Sequence, residues 1–565
     1  MSIQFFGDPD DRWPCDTNIR YHATLEVQSG ESMIPESANP PSKGNPEIRR
    51  VGPISLYILI SRILGLFRDI LLTSLLGSTA TADALRAALR IPVMLRDMFS
   101  EGALSASFSP AYRQQQQADD DQAPHRFARA ALSSIMSLTL VLLALLTWQA
   151  DKVIDGIFPG LTKSSEAISG LRALLPYLAL IPFMAVFRGI LHCHRRDTQA
   201  LKPQIFQNLS LLACGSLLLV IAPDDHARAQ GWIWAFLGGA VLGLLIMLRD
   251  VSRAGPIPWP TFHWRVPGHG RFLLDFGALL ISQILIQSYS LLAFHLASGL
   301  ETGSLTCLET AFRFHFFPIA LIGVSSGIVA GDESADLISR NQKGQLSRMF
   351  ARNQRLTAFI GFLAGAGLLA TAGPIIDLLF VRGRFTDIDG QQTAGILAWY
   401  CLAVPFAALN VGLQRTAITL GQRKAVLFIT LLGLGVQALI LLGGALEVTT
   451  DLIAQSYLIS SILSWLLLQG LLRKTISLPR LRMAQGVKLI FLSILVHQGA
   501  HHFLTGVMEI TPAFPAKKVI LLAGAIVLGV SLATFIGRKL KMTEVDDMWE
   551  IVGATVGRVR RRDHR

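Results

Sequence analysis

Between Thr81 and Ala111 a largely apolar stretch of the chain carries Asp83, Arg86, Arg90, Arg96, Asp97 and Glu101. A helix needs about 20 residues to cross hydrocarbon, and a charged side chain at its centre costs roughly 3 kcal/mol even on the mildest scale. These groups must therefore line a polar space between helices rather than face lipid. On a helix turning about 100° per residue, Asp83, Arg86, Arg90, Asp97 and Glu101 share a stripe about 60° wide, whereas Arg96 points roughly 140° away from Asp83. Pro92 stands between them, and a kink there would redirect Arg96. An earlier segment, SRILGLFRD, adds Arg62, Arg68 and Asp69, and a later one places Glu309 and Arg313 one helical turn apart. Buried guanidinium groups stay charged and offer planar, bidentate donors, which suits them to phosphate. The same residues could instead form internal ion pairs that only fix helix packing, Arg68 with a neighbouring carboxylate and Glu309 with Arg313. As a set they favour the phosphate reading, because the basic groups outnumber their plausible partners.

The elements that must position these groups are membrane helices. Of 565 residues 51% are hydrophobic, and they come in continuous runs such as Leu138 to Leu146. Continuous rather than alternating runs exclude a β-barrel and predict an all-α, polytopic membrane protein with about fourteen spans. The net charge of +12 does not point to nucleic acid, since Arg195, Arg196, Arg249, Arg253, Arg423, Lys424, Arg473 and Lys474 sit in short loops of one side. By the positive-inside rule that side and both termini are cytoplasmic. Residues 1–50 read as a disordered cytoplasmic extension, 51–250 as a six-helix N-lobe, 271–474 as a six-helix C-lobe, 481–540 as two additional helices and 541–565 as a basic cytoplasmic tail. An internal repeat supports the two lobes: Asp83 to Pro92 aligns without gaps to Glu309 to Pro318, each in the second helix of its half.

Other polar residues read as structural. Asp275 is expected at a helix start, answering the dipole; Arg188 and Arg415 are expected to snorkel; His295 and His315 are expected to be satisfied core histidines; Arg382 and Arg384 are expected in a solvated loop. The five cysteines are scattered, and His192 and His194 flank Cys193 without a carboxylate nearby, so neither a disulfide framework nor a metal site is implied. No phosphate-binding loop, HExxH, GxSxG or paired-aspartate motif is present, which predicts a non-enzyme without cofactor.

Ser61 to Asp69, then Ala82-Asp83-Ala84, then Pro92 to Pro110 with Leu95, Arg96, Phe99, Glu101, Gly102, Ala103, Ser105 and Phe108, together resemble the signature of the MurJ (MviN) lipid II flippases of the MOP superfamily. Pro203, Asn208, Leu296 to Gly299, Arg313 with Pro318, and Phe380 to Thr386 extend the resemblance to roughly residues 50–540. It implies two six-helix lobes around a cationic cavity, two further helices forming a lipid-accessible groove, and transfer of lipid II, the undecaprenyl-pyrophosphate-linked peptidoglycan precursor, between leaflets by alternating access. By position, Arg62, Arg68, Arg96 and Arg313 match the family's functional arginines, and Asp83 and Glu101 its acids. The expected pyrophosphate ligands are Arg62, Arg96 and Arg313, supported by Arg68 and Arg90, with Asp69, Asp83, Glu101 and Glu309 as ion-pair and gating residues. Phe312 stands where the family commonly has an acid, and Asp97 where a second basic residue is common. The expected partners are lipid II and membrane lipids, with a coupling ion left open. The rival readings are an exporter of another lipid-linked oligosaccharide or a drug, a non-transporting membrane scaffold, and a membrane enzyme.

Overall fold

The computed structural model describes residues 48–99, 104–261, 264–320, 342–444, 447–476, 483–510 and 515–549. Contacts divide the chain at Gly52/Pro53, and of the first unit only 48–52 are described, as the start of a helix. Residues 1–47, expected as an extension, lie outside the described residues.

Besides a helical segment at 543–549, the described helices are α1 (Ile48–Leu76), α2 (Ala80–Arg96), α3 (Leu104–Gln116), α4 (Ala123–Ile157), α5 (Ser164–Cys193), α6 (Asp197–Ile221), α7 (Asp225–Ser252), α8 (His269–Ala297), α9 (Ser304–Ile319), α10 (Lys343–Leu379), α11 (Asp387–Thr419), α12 (Arg423–Leu442), α13 (Thr450–Ile476), α14 (Met483–Ile510) and α15 (Pro515–Lys539). No strand occurs among the described residues. Eleven of the helices are long and apolar enough to cross a membrane, which makes the chain an all-α polytopic membrane protein. The other three expected spans are the ones that carry the charges. α1 has the length but holds Arg62, Arg68 and Asp69, whereas α2 has only 17 residues and α9 only 16. Charge at these positions lowers hydropathy, so the local features that mark a span are weakest where the polar residues concentrate.

The second span is described in two pieces: α2 continues past Pro92 to Arg96 and residues 97–99 form a wider π-type turn, while α3 is described from Leu104. Asp275 departs from expectation: α8 begins at His269, so Asp275 lies in its second turn and is exposed.

Helices α2 to α7 pack among themselves around α5, and α9 to α13 pack around α11. α8 touches both sets, meeting α3 and α4 on one side and α9, α12 and α13 on the other, while α14 and α15 pack on α10. α2 and α9, the helices of the repeat, meet each other.

Candidate functional site

The turn between α1 and α2 holds the two sets together at one end. Its Ser78 carbonyl and its Ser74 carbonyl lie where a Cβ on Gly303 or Gly383 would stand, 2.5 Å away in each case, and both glycines have positive φ (94° and 62°). Only glycine allows both the conformation and this approach. The Arg384 amide donates to the Ser74 carbonyl (3.2 Å), Ser78 Oγ donates to Asp389, and Arg228 donates to the Leu75 carbonyl (3.2 Å). Arg384 also pairs with Asp225, so it is a link between the two sets of helices rather than the solvated loop residue expected.

Asp83 completes this end. Its carboxylate accepts from the Gly303 amide (2.7 Å), the Thr306 amide (3.0 Å) and the Thr306 hydroxyl (2.6 Å), and the whole group is buried. α9 begins after Gly303 without a capping side chain of its own, and Asp83 supplies that cap from α2. The free amides and positive dipole end of a helix are a good partner for a buried carboxylate. Among the described residues Asp83 makes no salt bridge, which corrects its expected place in an ion pair.

One and two turns deeper, the same face of α2 meets a continuous polar network. Arg86 Nη1 donates to Glu309 Oε2 (2.9 Å), Arg313 Nη2 to Glu309 Oε1 (2.7 Å), and Arg313 Nη1 to Asp69. Asp69 also takes a two-pronged contact from Arg68 (Nε 3.0 Å, Nη2 2.9 Å), whose remaining Nη1 donates to the Asn208 side chain (3.0 Å). Asn208 in turn donates to the Ser61 carbonyl (3.1 Å), tying α6 to α1. The chain of contacts runs Asn208, Arg68, Asp69, Arg313, Glu309, Arg86, and so joins α6, α1, α9 and α2. Glu309 and Arg313 find each other at the expected one-turn spacing, but the wider network goes beyond any expectation from spacing. Arg86 and Asn208 are additions to the expected site residues. Arg86 was detectable, since it shares the polar stripe of α2 with Asp83 and Arg90; Asn208 had no chemical signal beyond being an amide in an apolar helix.

Arg90 differs from the others. It donates to Ser290 Oγ of α8 and its guanidinium lies 4.4 Å from the centre of the Phe294 ring, a cation–π contact. Among the described residues no carboxylate lies within salt-bridge distance of it, and its buried Nε has no hydrogen-bond partner. Arg96 pairs with the adjacent Asp97 (2.7 Å) and lies beside Tyr177 of α5 and within electrostatic range of Arg68. Arg62 is half-buried on α1, seven residues before Asp69 and so on the same face. Glu101 lies outside the described residues. Arg313 keeps 39% of its side chain accessible although α9 is packed among α2, α8, α10 and α11. Accessibility on an interior helix means an open space between helices.

His295 is satisfied as expected, its Nδ1 within 2.9 Å of the Ile157 carbonyl. His315 is not: it is fully buried among Phe312, Tyr400 and Tyr457, and neither ring nitrogen has a partner among the described residues. His192 does have a carboxylate neighbour, Asp197 at 2.7 Å, because the α5–α6 turn folds them together. Among the described residues no group of three ligating side chains could hold a metal.

Spanning helices in two sets, with the charged helices α2 and α9 meeting between them beside an accessible cation, define a polytopic membrane protein of the transporter class. The family profile described as lipid II flippase MurJ matches residues 72–519. The chain belongs to the MurJ lipid II flippase family. It is similar to a probable lipid II flippase MurJ of Bdellovibrio bacteriovorus, with 28% identity over 427 residues, 74% of this chain and 80% of that one. It shares the fold of a lipid II flippase MurJ solved in an inward closed conformation, with a TM-score of 0.72 at 20% identity over 86% of this chain and 99% of that one. It also shares the fold of an inward-facing multidrug-resistance MATE transporter of the MOP superfamily, with a TM-score of 0.59 at 15% identity over 75% and 98% of the two chains.

Proposed function

We propose that this chain moves lipid II from the cytoplasmic to the periplasmic leaflet of a bacterial inner membrane by alternating access, with both termini cytoplasmic. The observation that carries the reading is the composition of the network. Arg68 and Arg313 share Asp69, Arg86 and Arg313 share Glu309, Arg96 pairs with Asp97 and Arg62 lies on the face of α1 that carries Asp69, while Asp83 is engaged by the start of α9. Excess charge of this sign suits a pyrophosphate, and Arg90, beside a hydroxyl and a ring and with no carboxylate among the described residues within salt-bridge distance, is available to one.

Substrate and carboxylates would compete for the same donors. A pyrophosphate that takes Arg313 and Arg68 displaces Asp69 and Glu309, and so weakens the links that hold α1 and α2 to α9. That differential contact is what a carrier needs if binding is to shift its conformational equilibrium. In this reading 51–250 and 271–474 are the two moving lobes, 481–540 flank them, and the end latched by Ser74, Ser78 and Arg384 is the periplasmic one. The loops at that end carry few Lys and Arg, in keeping with the positive-inside rule. A drug exporter of the same fold would favour acidic and aromatic groups for its cationic cargo, and here the centre is basic.

The deciding measurement is lipid II exposed on the outer face of cells depleted of their own flippase and supplied with this protein. Wild type is expected to restore exposure, and Arg90→Ala, Arg62→Ala and Arg313→Ala each to reduce it tenfold or more at equal membrane abundance. Exposure no higher than in the empty-vector control removes the flippase reading for that host, and full activity in all three variants removes the arginine assignment.

A further inference from the structure

A groove of about 830 Å³ lies far from the arginine network, between α15 and the short helix 543–549 that follows it. Its floor is Ile526, Val527, Val530, Ser531, Thr534 and Phe535, its basic end is Arg538 and Lys539, and Trp549 forms the opposite wall. On the helical wheel Val527, Ser531, Thr534 and Phe535 are on the side of α15 opposite Ala525, Gly529, Ala533 and Gly537, which are buried, and Ile526 and Val530 are themselves exposed. The groove therefore opens outward and does not belong to the contact of α15 with α14 and α10.

The wall is built rather than incidental. Lys541 takes a left-handed conformation (φ 54°), and the Met542 amide bonds back to the Gly537 carbonyl (3.0 Å), so the chain reverses at once after α15. Val545 is fully buried against Gly537, where a Cβ would stand 2.6 Å from it. Arg352 of α10 holds Asp547 (2.7 Å) and Arg355 approaches Glu544 (3.8 Å). Fixed in this way, Trp549 donates its Nε1 to Thr534 Oγ1 (3.3 Å).

The charges then divide unevenly. The acids of the helix at 543–549 that face α10 are engaged by its arginines, whereas at the groove's basic end Arg538 has, among the described residues, Asp546 at 3.7 Å, with both side chains largely exposed. Lys539 lies 5.1 Å from the centre of the Phe535 ring, and among the described residues no carboxylate is within salt-bridge distance of it. From Ile526 to Arg538 the floor is about 18 Å long, a little more than the roughly 15 Å of hydrocarbon in one leaflet. Trp549 lines the same groove, and indoles are enriched at membrane–water interfaces.

We propose that this groove is a binding site for one anionic glycerophospholipid, with the phosphate at Arg538 and Lys539 and an acyl chain along Val527, Val530 and Phe535 under Trp549. Basic pockets at the cytoplasmic end of membrane helices recognise such headgroups. The site is separate from the transport centre and does not rest on the flippase reading.

The test uses the full-length protein in detergent with added phosphatidylglycerol or phosphatidylcholine, read by native mass spectrometry, with size exclusion and thermal unfolding to show that each variant is folded. Wild type is expected to retain one phosphatidylglycerol and at least fivefold less phosphatidylcholine. The pair Arg538→Gln and Lys539→Gln is expected to lower phosphatidylglycerol retention at least fivefold, and Trp549→Ala threefold or more. A pair removing equal charge at the same membrane side, Arg473→Gln and Lys474→Gln, is expected to stay within twofold of wild type. Equal retention of both lipids, or an equal loss in the control pair, overturns the site in favour of general surface attraction. A several-fold rise in retention on removing residues 550–565 overturns it in favour of the chain's own basic end as occupant.

Discussion

α2 and α9 align in sequence, stand at matching places in the two sets of helices and touch each other, yet they use their charges differently. α2 caps itself, Thr79 accepting from the Ala82 amide, and sends Asp83 to cap α9. α9 has no such side chain and sends its own acid, Glu309, sideways to Arg86 and Arg313. Where α2 carries Arg86 and Arg90, the aligned positions of α9 are Phe312 and Phe316, and Phe312 packs against Tyr400 and Tyr457. The arginine of α9 is displaced by one residue, to Arg313, and so turned by about 100°, onto Asp69 of α1. One helix therefore reaches across with charge, while the other is anchored in an aromatic core and presents a single cation. Phe312, which departs from the family pattern, is part of that anchor.

The comparison can be broken most directly at Asp83. Asp83→Ala leaves two buried amides and a hydroxyl without an acceptor, and is expected to cost about 3–5 kcal/mol of the contact between α2 and α9. The measurement is amide exchange at Gly303 and Thr306 in the purified protein, together with thermal unfolding; Asp83→Asn, which keeps an acceptor, should lose clearly less. Unchanged exchange in Asp83→Ala would mean that α9 does not depend on α2 for its start.

A smaller effect is expected at Glu309. Glu309→Gln should leave a folded protein but cut lipid II exposure about tenfold, equivalent to about 1.4 kcal/mol, because two arginines lose their shared carboxylate. Combined with Arg86→Gln, the stability loss should be less than the sum of the single losses by about 2–3 kcal/mol. Additive losses would show that the 2.9 Å pair is not a coupled interaction.

The smallest effect is expected within the aromatic anchor. His315→Phe replaces an unpartnered buried imidazole with a ring of similar size, and should leave unfolding unchanged or raise stability by about 1 kcal/mol, with transport retained. Loss of transport in a folded His315→Phe protein would place chemistry on the side of α9 assigned here to packing.

Much of this architecture is legible in the order of the residues. Long apolar runs identify spanning helices because the bilayer imposes length and hydropathy locally, and a 3.6-residue period puts Asp83, Arg86 and Arg90 on one face whatever surrounds them. That face does meet α8 and α9, through Ser290, Glu309 and the start of α9. The signature from Ser61 to Pro110 likewise carries the family resemblance without reference to the fold. The pairing of charges is not legible in this way. Arg86 and Glu309 are 223 residues apart, as are Asp83 and Thr306, and no local pattern states which carboxylate an arginine meets at such a distance. Hydropathy and helical period are properties of neighbouring residues, and they suffice for a membrane protein of recognisable family with a charged face on one short helix. That Asp83 is a cap, that Arg313 rather than a residue at the aligned position bears the cation of α9, and that Arg90 is left with a hydroxyl and a ring are settled in three dimensions alone, because those outcomes depend on how separate helices are rotated against one another.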